Sequence, residues 1–110
     1  MKTIDLTQIV YGSEGEVYKQ RYTKGEGDNI ERYELDVTLG QAIKDCVVLQ
    51  PSLFGSYTET EVISRYNIFK KVDKAESAEF SDDELQTIKS LILIRYLPMI
   101  SAQYLLILNK

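Results

Sequence analysis

Hydrophobic and polar positions follow one pattern before residue 38 and another after it. Apolar and charged residues alternate over residues 17–23 and 33–37, and a period of two is typical of a β-strand with one buried face. Residues 24–29 lie between these runs and contain two glycines, which permit the positive φ angles of a tight turn. We therefore predict a β-hairpin here, whereas residues 2–11 fit either a short strand or a short helix.

After residue 38 the apolar residues recur with the spacing of an α-helix. The first helix should begin after Thr38, whose side chain suits an amino-terminal cap, and should end before Pro51. Its buried face should include Cys46. A second helix should begin after Thr58, because the spacing of Thr58 and Glu61 fits a capping box, in which each side chain binds the backbone amide of the other residue.

The second helix has two kinds of residue at helical spacing. Four apolar residues are expected to form its buried face: Val62, Tyr66, Phe69 and Val72. Four basic residues are expected to lie toward solvent and toward its carboxyl end: Arg65, Lys70, Lys71 and Lys74. Cations at that end interact favourably with the partial negative charge of the helix terminus.

A third helix is predicted from the strongest local signal in the chain. Ser81 and Glu84 fit a capping box, and Phe80 and Leu85 occupy the two positions of a hydrophobic staple. The helix should therefore begin directly after Ser81. Further along, Pro98 either starts a fourth helix or kinks one long helix.

The mostly apolar stretch over residues 91–108 raises the question of a membrane. Four residues interrupt it: Arg95, Pro98, Ser101 and Gln103. A membrane-spanning helix usually needs about 20 mainly apolar residues without charges at its centre. We therefore expect no membrane partner, but a pair of core helices that are apolar on several sides because other helices or another subunit cover them.

The composition fits a single domain without a recognisable active site. The predicted fold class is α+β and mainly helical, one domain over residues 1–110 in which a β-hairpin or small meander (1–37) precedes three or four packed helices (38–110). With no histidine and one cysteine, the chain lacks the usual general base and the commonest metal ligand. We therefore expect no enzyme activity, metal or cofactor, and the lack of a cysteine pattern favours the cytoplasm.

The function is predicted to lie in protein contacts. The net charge of −4 disfavours nucleic acid as a partner, whereas tyrosine is common in protein interfaces and a basic cluster could contact an acidic partner surface. Tyr18 and Tyr22 could instead pack on the helices as the inner face of the sheet. Seven residues are candidates for partner binding: Tyr18, Tyr22, Tyr33, Arg65, Lys70, Lys71 and Tyr104. The partner is expected to be another protein, or a second copy of the chain bound through the carboxyl-terminal helix.

Nucleic-acid binding is the alternative hypothesis. The helix over residues 65–74 would then contact phosphates, together with the basic side of the hairpin, which carries Lys19, Arg21 and Lys24. Tyr18 and Tyr22 would be available to stack on bases.

Residues 38–110 also resemble a known group of proteins. The resemblance rests on five stretches, 38–43, 65–71, 80–85, 88–89 and 96–98, together with Gln103. Their order and spacing are similar to those of small, uncharacterised accessory proteins of tailed bacteriophages and prophages. The resemblance implies a helical protein encoded by a phage or mobile element, made in the host cytoplasm and without a known active site. For such a protein we expect a host or viral protein as the partner.

Overall fold

A computed structural model describes residues 2–53 and 55–110. Two short antiparallel sheets and four α-helices make up this part of the chain, which confirms the predicted α+β, mainly helical class. In chain order the elements are β1 Lys2–Asp5, β2 Lys19–Lys24, β3 Glu31–Asp36, α1 Leu39–Leu49, α2 Glu59–Val72, β4 Ser77–Phe80, α3 Asp82–Arg95 and α4 Pro98–Leu108. One turn of 3-10 helix, Gly27–Asn29, lies between β2 and β3.

The predicted hairpin is present as strands β2 and β3. The two strands pair antiparallel, with Tyr22 opposite Tyr33. In the connecting turn Gly25 adopts a φ of +100°, and a Cβ atom at this position would collide with the carbonyl oxygen of Asn29. Glycine is therefore the residue that this turn requires.

Strand β1 resolves the ambiguity of residues 2–11, and it pairs with a strand that the sequence did not predict. β4 runs antiparallel to β1, with Lys2 opposite Phe80 and Asp5 opposite Ser77. A strand of four residues is too short to show a clear period of two. Its pairing joins the region before residue 38 to the helical region after it.

The core is built around α1, which buries the face that the sequence predicted. The buried residues of α1 include five that are apolar: Leu39, Ala42, Ile43, Cys46 and Val47. Ile68 from α2, Ile88 from α3 and Tyr104 from α4 are fully buried in the same core. Burial raises the pKa of the Cys46 thiol to about 12, so this cysteine is the core residue that we expected.

The predicted start of the third helix is confirmed. The Ser81 hydroxyl accepts a hydrogen bond from the Glu84 amide, and the Glu84 carboxylate accepts one from the Ser81 amide. Phe80 and Leu85, the two staple residues, are buried. Pro98 is the first residue of α4, so the proline starts a separate fourth helix.

Helix α4 is tied to the amino-terminal segment of the chain. The Gln103 side chain accepts a hydrogen bond from the Tyr11 amide (2.9 Å) and donates one to the Tyr11 carbonyl (2.7 Å). The Lys2 ammonium donates to the Leu108 carbonyl at 2.7 Å, where a helix leaves its last carbonyls without partners. Among the residues described, no helix is long and apolar enough to cross a membrane.

Candidate protein-interaction surfaces

Helix α2 is rotated relative to the orientation that the sequence predicted. Its buried residues are Glu61, Arg65, Ile68 and Val72. Val62 and Tyr66, which we predicted in the core, are 51% and 61% exposed, whereas Arg65, which we predicted in solvent, is 6% exposed. That part of the prediction is wrong, and the surroundings of Arg65 give the physical reason.

The Arg65 guanidinium caps the carboxyl end of α1. It donates to the Gln50 carbonyl at 2.6 Å, to the Pro51 carbonyl at 2.9 Å and to the Glu61 carboxylate at 2.9 Å. The last carbonyls of a helix have no partner within the helix and carry a partial negative charge. Arg65 reaches one of them, the Val47 carbonyl, at 3.5 Å, while the Gln50 and Pro51 carbonyls lie just past the helix. The hydrogen bonds of its two Nη atoms offset the cost of removing the cation from water, although its Nε is buried without a partner among the described residues.

Glu61 does not close the predicted capping box. The Thr58 hydroxyl accepts from the Glu61 amide as predicted, but the Glu61 carboxylate binds Arg65, the Ser52 hydroxyl (2.8 Å) and the Leu53 amide (3.4 Å). Burial alone would raise the pKa of Glu61, but these hydrogen bonds and the Arg65 charge outweigh it, so the pKa is lowered. The loop between α1 and α2 is therefore held by an ion pair.

The orientation of α2 opens an apolar groove between α1 and α2, which we call the α1–α2 groove. Its volume is about 420 Å³. Four large side chains are exposed along its rim: Val48, Tyr57, Val62 and Tyr66. Val47 and Phe69 lie deeper, and Arg65 is the one charged residue among the described residues that line it. Because the Arg65 guanidinium is already hydrogen-bonded, the groove presents mainly apolar surface to a ligand.

Tyr57 is held in place although it is 53% exposed. Its hydroxyl donates to the Gln50 carbonyl at 2.8 Å, and its ring centroid lies 5.2 Å from the guanidinium carbon of Arg65. That distance fits a cation–π contact. A rigid aromatic side chain offers contact area to a partner with little loss of conformational entropy.

The end of the groove near the carboxyl terminus of α2 is basic. The Lys44 ammonium lies 5.9 Å from the centroid of the Phe69 ring and pairs with Asp73 at 3.0 Å. Lys70 is exposed at the same end of α2 and forms no ion pair with any residue that the structure describes. Of the seven candidate residues, Arg65 thus lines this groove, and Lys70 follows the lining residue Phe69 in α2 without lining the groove itself.

The three candidate tyrosines of the hairpin attach it to the helices and to each other. Tyr18 lies edge-on against Tyr96, with 6.1 Å between the ring centroids. Tyr22 stacks on Tyr33 at 5.7 Å, and its hydroxyl donates to the buried Asp45 carboxylate at 2.8 Å. Burial and this hydrogen bond raise the pKa of Tyr22. Tyr18 and Tyr22 are therefore half-buried anchors, while Tyr33 is 39% exposed.

Tyr104 is not available to a partner. It is fully buried, and its hydroxyl donates to the Val37 carbonyl at 3.0 Å. Its prediction as a contact residue is corrected, because the inner face of α4 needs a large side chain to fill the core.

Lys71, another candidate, is half-buried and already bound within the chain. Its ammonium pairs with Glu84 at 2.7 Å and donates to the Glu79 carbonyl at 3.0 Å.

The three basic residues of β2 are paired with acidic residues of β3, whereas Arg32 of β3 forms no ion pair with a described residue. The three pairs, with the N–O distance of each, are Lys19–Asp36 (3.7 Å), Arg21–Glu34 (3.1 Å) and Lys24–Glu31 (3.3 Å). Adjacent carboxylates weaken the attraction of this ribbon for phosphate. Within residues 2–53 and 55–110, no group of three or more histidine, cysteine or carboxylate side chains could hold a metal ion.

The structure also exposes part of the apolar stretch over residues 91–108, which the sequence analysis expected other helices or another subunit to cover. Besides the groove rim, five large side chains at the end of α3 and on α4 are exposed: Leu93, Ile94, Leu97, Met99 and Leu106.

The sequence did contain a signal for the α1–α2 groove, because Glu61 and Arg65 are four residues apart and so share one face of α2. If that face is buried, Val62 and Tyr66 must point outward.

Comparisons of this chain with models of protein families, with curated proteins and with solved structures gave no match. The surfaces are therefore interpreted from their own geometry and chemistry.

Proposed function

We propose that this protein is a non-enzymatic interaction protein that binds the apolar face of a helix from a protein partner in the α1–α2 groove. One observation carries the proposal: Val48, Tyr57, Val62 and Tyr66 are each between 51% and 61% exposed around an apolar groove. Burying such side chains against a partner releases water from apolar surface, which is the main driving force of association.

The shape of the groove favours a helix as its ligand. A cleft between two helices can accept an amphipathic helix whose apolar residues recur at positions i, i+3, i+4 and i+7. Tyr57 and Tyr66 supply rigid aromatic contacts on the rim. Lys70 at the basic end favours a ligand with an acidic residue near that end.

The network around Arg65 prepares the groove for binding. The Arg65 guanidinium ties the loop after α1 to α2 through the Gln50 and Pro51 carbonyls. A wall that is fixed before binding loses little conformational freedom when a ligand arrives, so more of the contact energy appears as affinity.

The resemblance of residues 38–110 to phage accessory proteins supports a host or viral protein as the natural partner, met in the host cytoplasm.

The nucleic-acid alternative is less well supported than protein binding. Most of the basic residues on which it depended are paired: Arg65 with Glu61, Lys71 with Glu84, and each basic residue of β2 with a carboxylate of β3. Lys70 and Lys74, which form no ion pair with a described residue, are too few to outweigh the net charge of −4.

A display library of helical peptides tests this proposal with the intact protein. The library keeps a helical frame and randomises one face, and binders are selected on the wild-type chain. We expect enriched peptides with apolar residues at i, i+3, i+4 and i+7. Their affinity for Val62→Asp should be at least about tenfold lower, because the new carboxylate must be buried without a partner.

Ile63→Asp provides a matched control. Ile63 and Val62 are both 51% exposed and adjacent in α2, but only Val62 lines the groove. The two variants carry the same change in charge, so only the groove variant should lose binding. An absence of enriched peptides, or peptides that bind Val62→Asp as well as wild type, would contradict the proposed function.

A further inference from the structure

We propose that two copies of this chain associate through the exposed face of α4, around a two-fold axis next to Ala102. This inference is independent of the α1–α2 groove, because it concerns another helix. The inference is that a second copy of the chain covers the apolar face of α4, which the described residues of the same chain leave exposed.

The exposed face of α4 is a stripe of three residues. Met99, Ala102 and Leu106 follow one another at i, i+3 and i+7, and Met99 and Leu106 are 56% and 67% exposed. At 100° per residue these positions lie on the side of the helix opposite Ile100 and Tyr104, which are buried. The helix therefore has one apolar side in the core and a second apolar side in solvent.

The sizes of these three side chains are arranged almost symmetrically about Ala102. A small alanine lies almost midway between two long, flexible apolar side chains. When two such helices pack antiparallel about a two-fold axis, Met99 of one copy meets Leu106 of the other, and the reverse contact forms at the same time. The two alanines at the centre allow the helix axes to approach to roughly 8–10 Å.

The charge distribution selects a second copy as the occupant. The ten residues from Leu97 to Leu106 contain no ionisable side chain other than the buried Tyr104. Two chains of net charge −4 repel one another, and the repulsion is smallest where the facing surfaces carry no charge. A highly charged partner would find no complementary group within these ten residues.

Three further large apolar side chains are exposed near the start of α4. Leu97 is the N-cap residue of α4 and, at 78%, the most exposed large apolar residue among those described. Leu93 and Ile94, in the last turn of α3, are 60% and 59% exposed. In a two-fold interface each such side chain is buried once on either copy, and a stable interface of standard size buries roughly 800 Å² per partner.

Sedimentation equilibrium of the full chain from about 1 to 500 μM measures the association directly. We expect a monomer–dimer equilibrium, and Leu106→Glu should raise the dissociation constant at least about tenfold, because it places two carboxylates in an apolar contact. Val48→Glu is the matched control, since Val48 is 59% exposed on the other surface and the change in net charge is the same. Its dissociation constant should stay close to that of wild type.

A cysteine at the centre of the stripe tests the symmetry and is a milder change. With the helices in contact, the two Ala102 Cα atoms would lie roughly 4–6 Å apart, which permits a disulfide. Ala102→Cys should therefore form a covalent dimer on mild oxidation, whereas Ser13→Cys, in an exposed loop, should not. Cys46 is fully buried and does not compete.

Three results would overturn the inference. The first is a wild-type chain that stays monomeric throughout the concentration range, whatever else its α4 face then binds. The second is a dimer that Val48→Glu weakens as much as Leu106→Glu does. The third is cross-linking of Ala102→Cys no faster than that of Ser13→Cys, which would exclude a two-fold axis at this point even if Leu106→Glu were too unstable to assay.

Discussion

The α1–α2 groove and the exposed face of α4 are similarly apolar, but they are built in different ways. The groove exists because a buried cation, Arg65, turns Val62 and Tyr66 outward. The face of α4 exists because its inner side already fills the core with Ile100 and Tyr104. The groove therefore depends on a network of hydrogen bonds and charges. The exposed face of α4 depends only on helical geometry, which turns some apolar residues outward when others are buried.

This difference shows that the kind of partner a surface suits depends on its shape and charge as well as on its exposed apolar side chains. The groove is concave, has an exposed lysine near one end and is held rigid by hydrogen bonds, so it suits a foreign helix of complementary charge. The α4 face is an uncharged stripe with a symmetric pattern of sizes, so it suits a second copy of itself. Equal exposure of apolar side chains therefore does not imply the same kind of partner.

Removal of the buried cation should have the largest effect and should break the groove while sparing α4. Arg65→Met keeps much of the side-chain volume but leaves the Pro51 carbonyl without its donor and the buried Glu61 carboxylate without its ion pair, while the Gln50 carbonyl keeps only the Tyr57 hydroxyl. We expect a loss of about 3 kcal/mol in the free energy of unfolding, measured with urea. The folded fraction should bind groove-selected peptides poorly and should still self-associate.

Lys70→Met controls for the loss of a positive charge from the same helix. Lys70 is exposed and unpaired within the described residues, so its replacement should change the free energy of unfolding by no more than about 0.5 kcal/mol. Equal destabilisation by the two variants would show that Arg65 does not hold the groove.

A smaller effect is expected from the anchor on the inner side of α4. Tyr104→Phe removes the hydroxyl that donates to the Val37 carbonyl and leaves that buried acceptor unpaired. We expect a loss of about 1–2 kcal/mol in denaturant unfolding. Tyr66→Phe, which removes an exposed hydroxyl from the groove rim, should change the stability by less than about 0.5 kcal/mol. A Tyr104→Phe variant as stable as wild type would contradict the anchoring role.

Acidification should give the smallest and most selective effect. The pKa of Glu61 is lowered in the folded chain, so the stability it contributes is complete above the unfolded value of 4.5 and is lost as the pH falls through the folded value. The difference in urea midpoint between wild type and Glu61→Gln should therefore shrink between about pH 6 and pH 3.

Glu59→Gln is the control for acidification, because Glu59 is exposed in the first turn of the same helix. Its difference from wild type should change less with pH than that of Glu61→Gln. If the Glu61→Gln difference stays constant over this range, the Glu61 carboxylate does not stabilise the loop beside the groove.

Much of the fold could be predicted from short stretches of sequence. Thr38, Thr58 and Ser81 mark helix starts because capping acts within one turn, whereas Pro98 left open whether a new helix starts or one long helix is kinked. The buried face of α1, with Cys46, follows from helical spacing because that helix is covered by the core on one side only.

The candidate surfaces could be predicted only in part. Arg65 and Lys70 were chosen as contact residues, but Arg65 forms a wall of the groove through hydrogen bonds that no local pattern reveals. Tyr104 was chosen for its residue type, and its burial depends on how α4 packs against Val37. Residue type indicates what a side chain can do, whereas packing decides whether a partner can reach it.

By itself the sequence determined where the hairpin turns, where α1, α2 and α3 start and which face of α1 is buried, since these choices depend on neighbours within a few residues. The tertiary structure alone decided that β4 pairs with β1, that α2 buries a charged face and that α4 keeps an apolar face in water. The reason is physical: a strand needs a distant strand to complete its hydrogen bonds, and the buried Arg65 needs the carbonyls at the end of α1. Those partners are brought together only when the whole chain has folded.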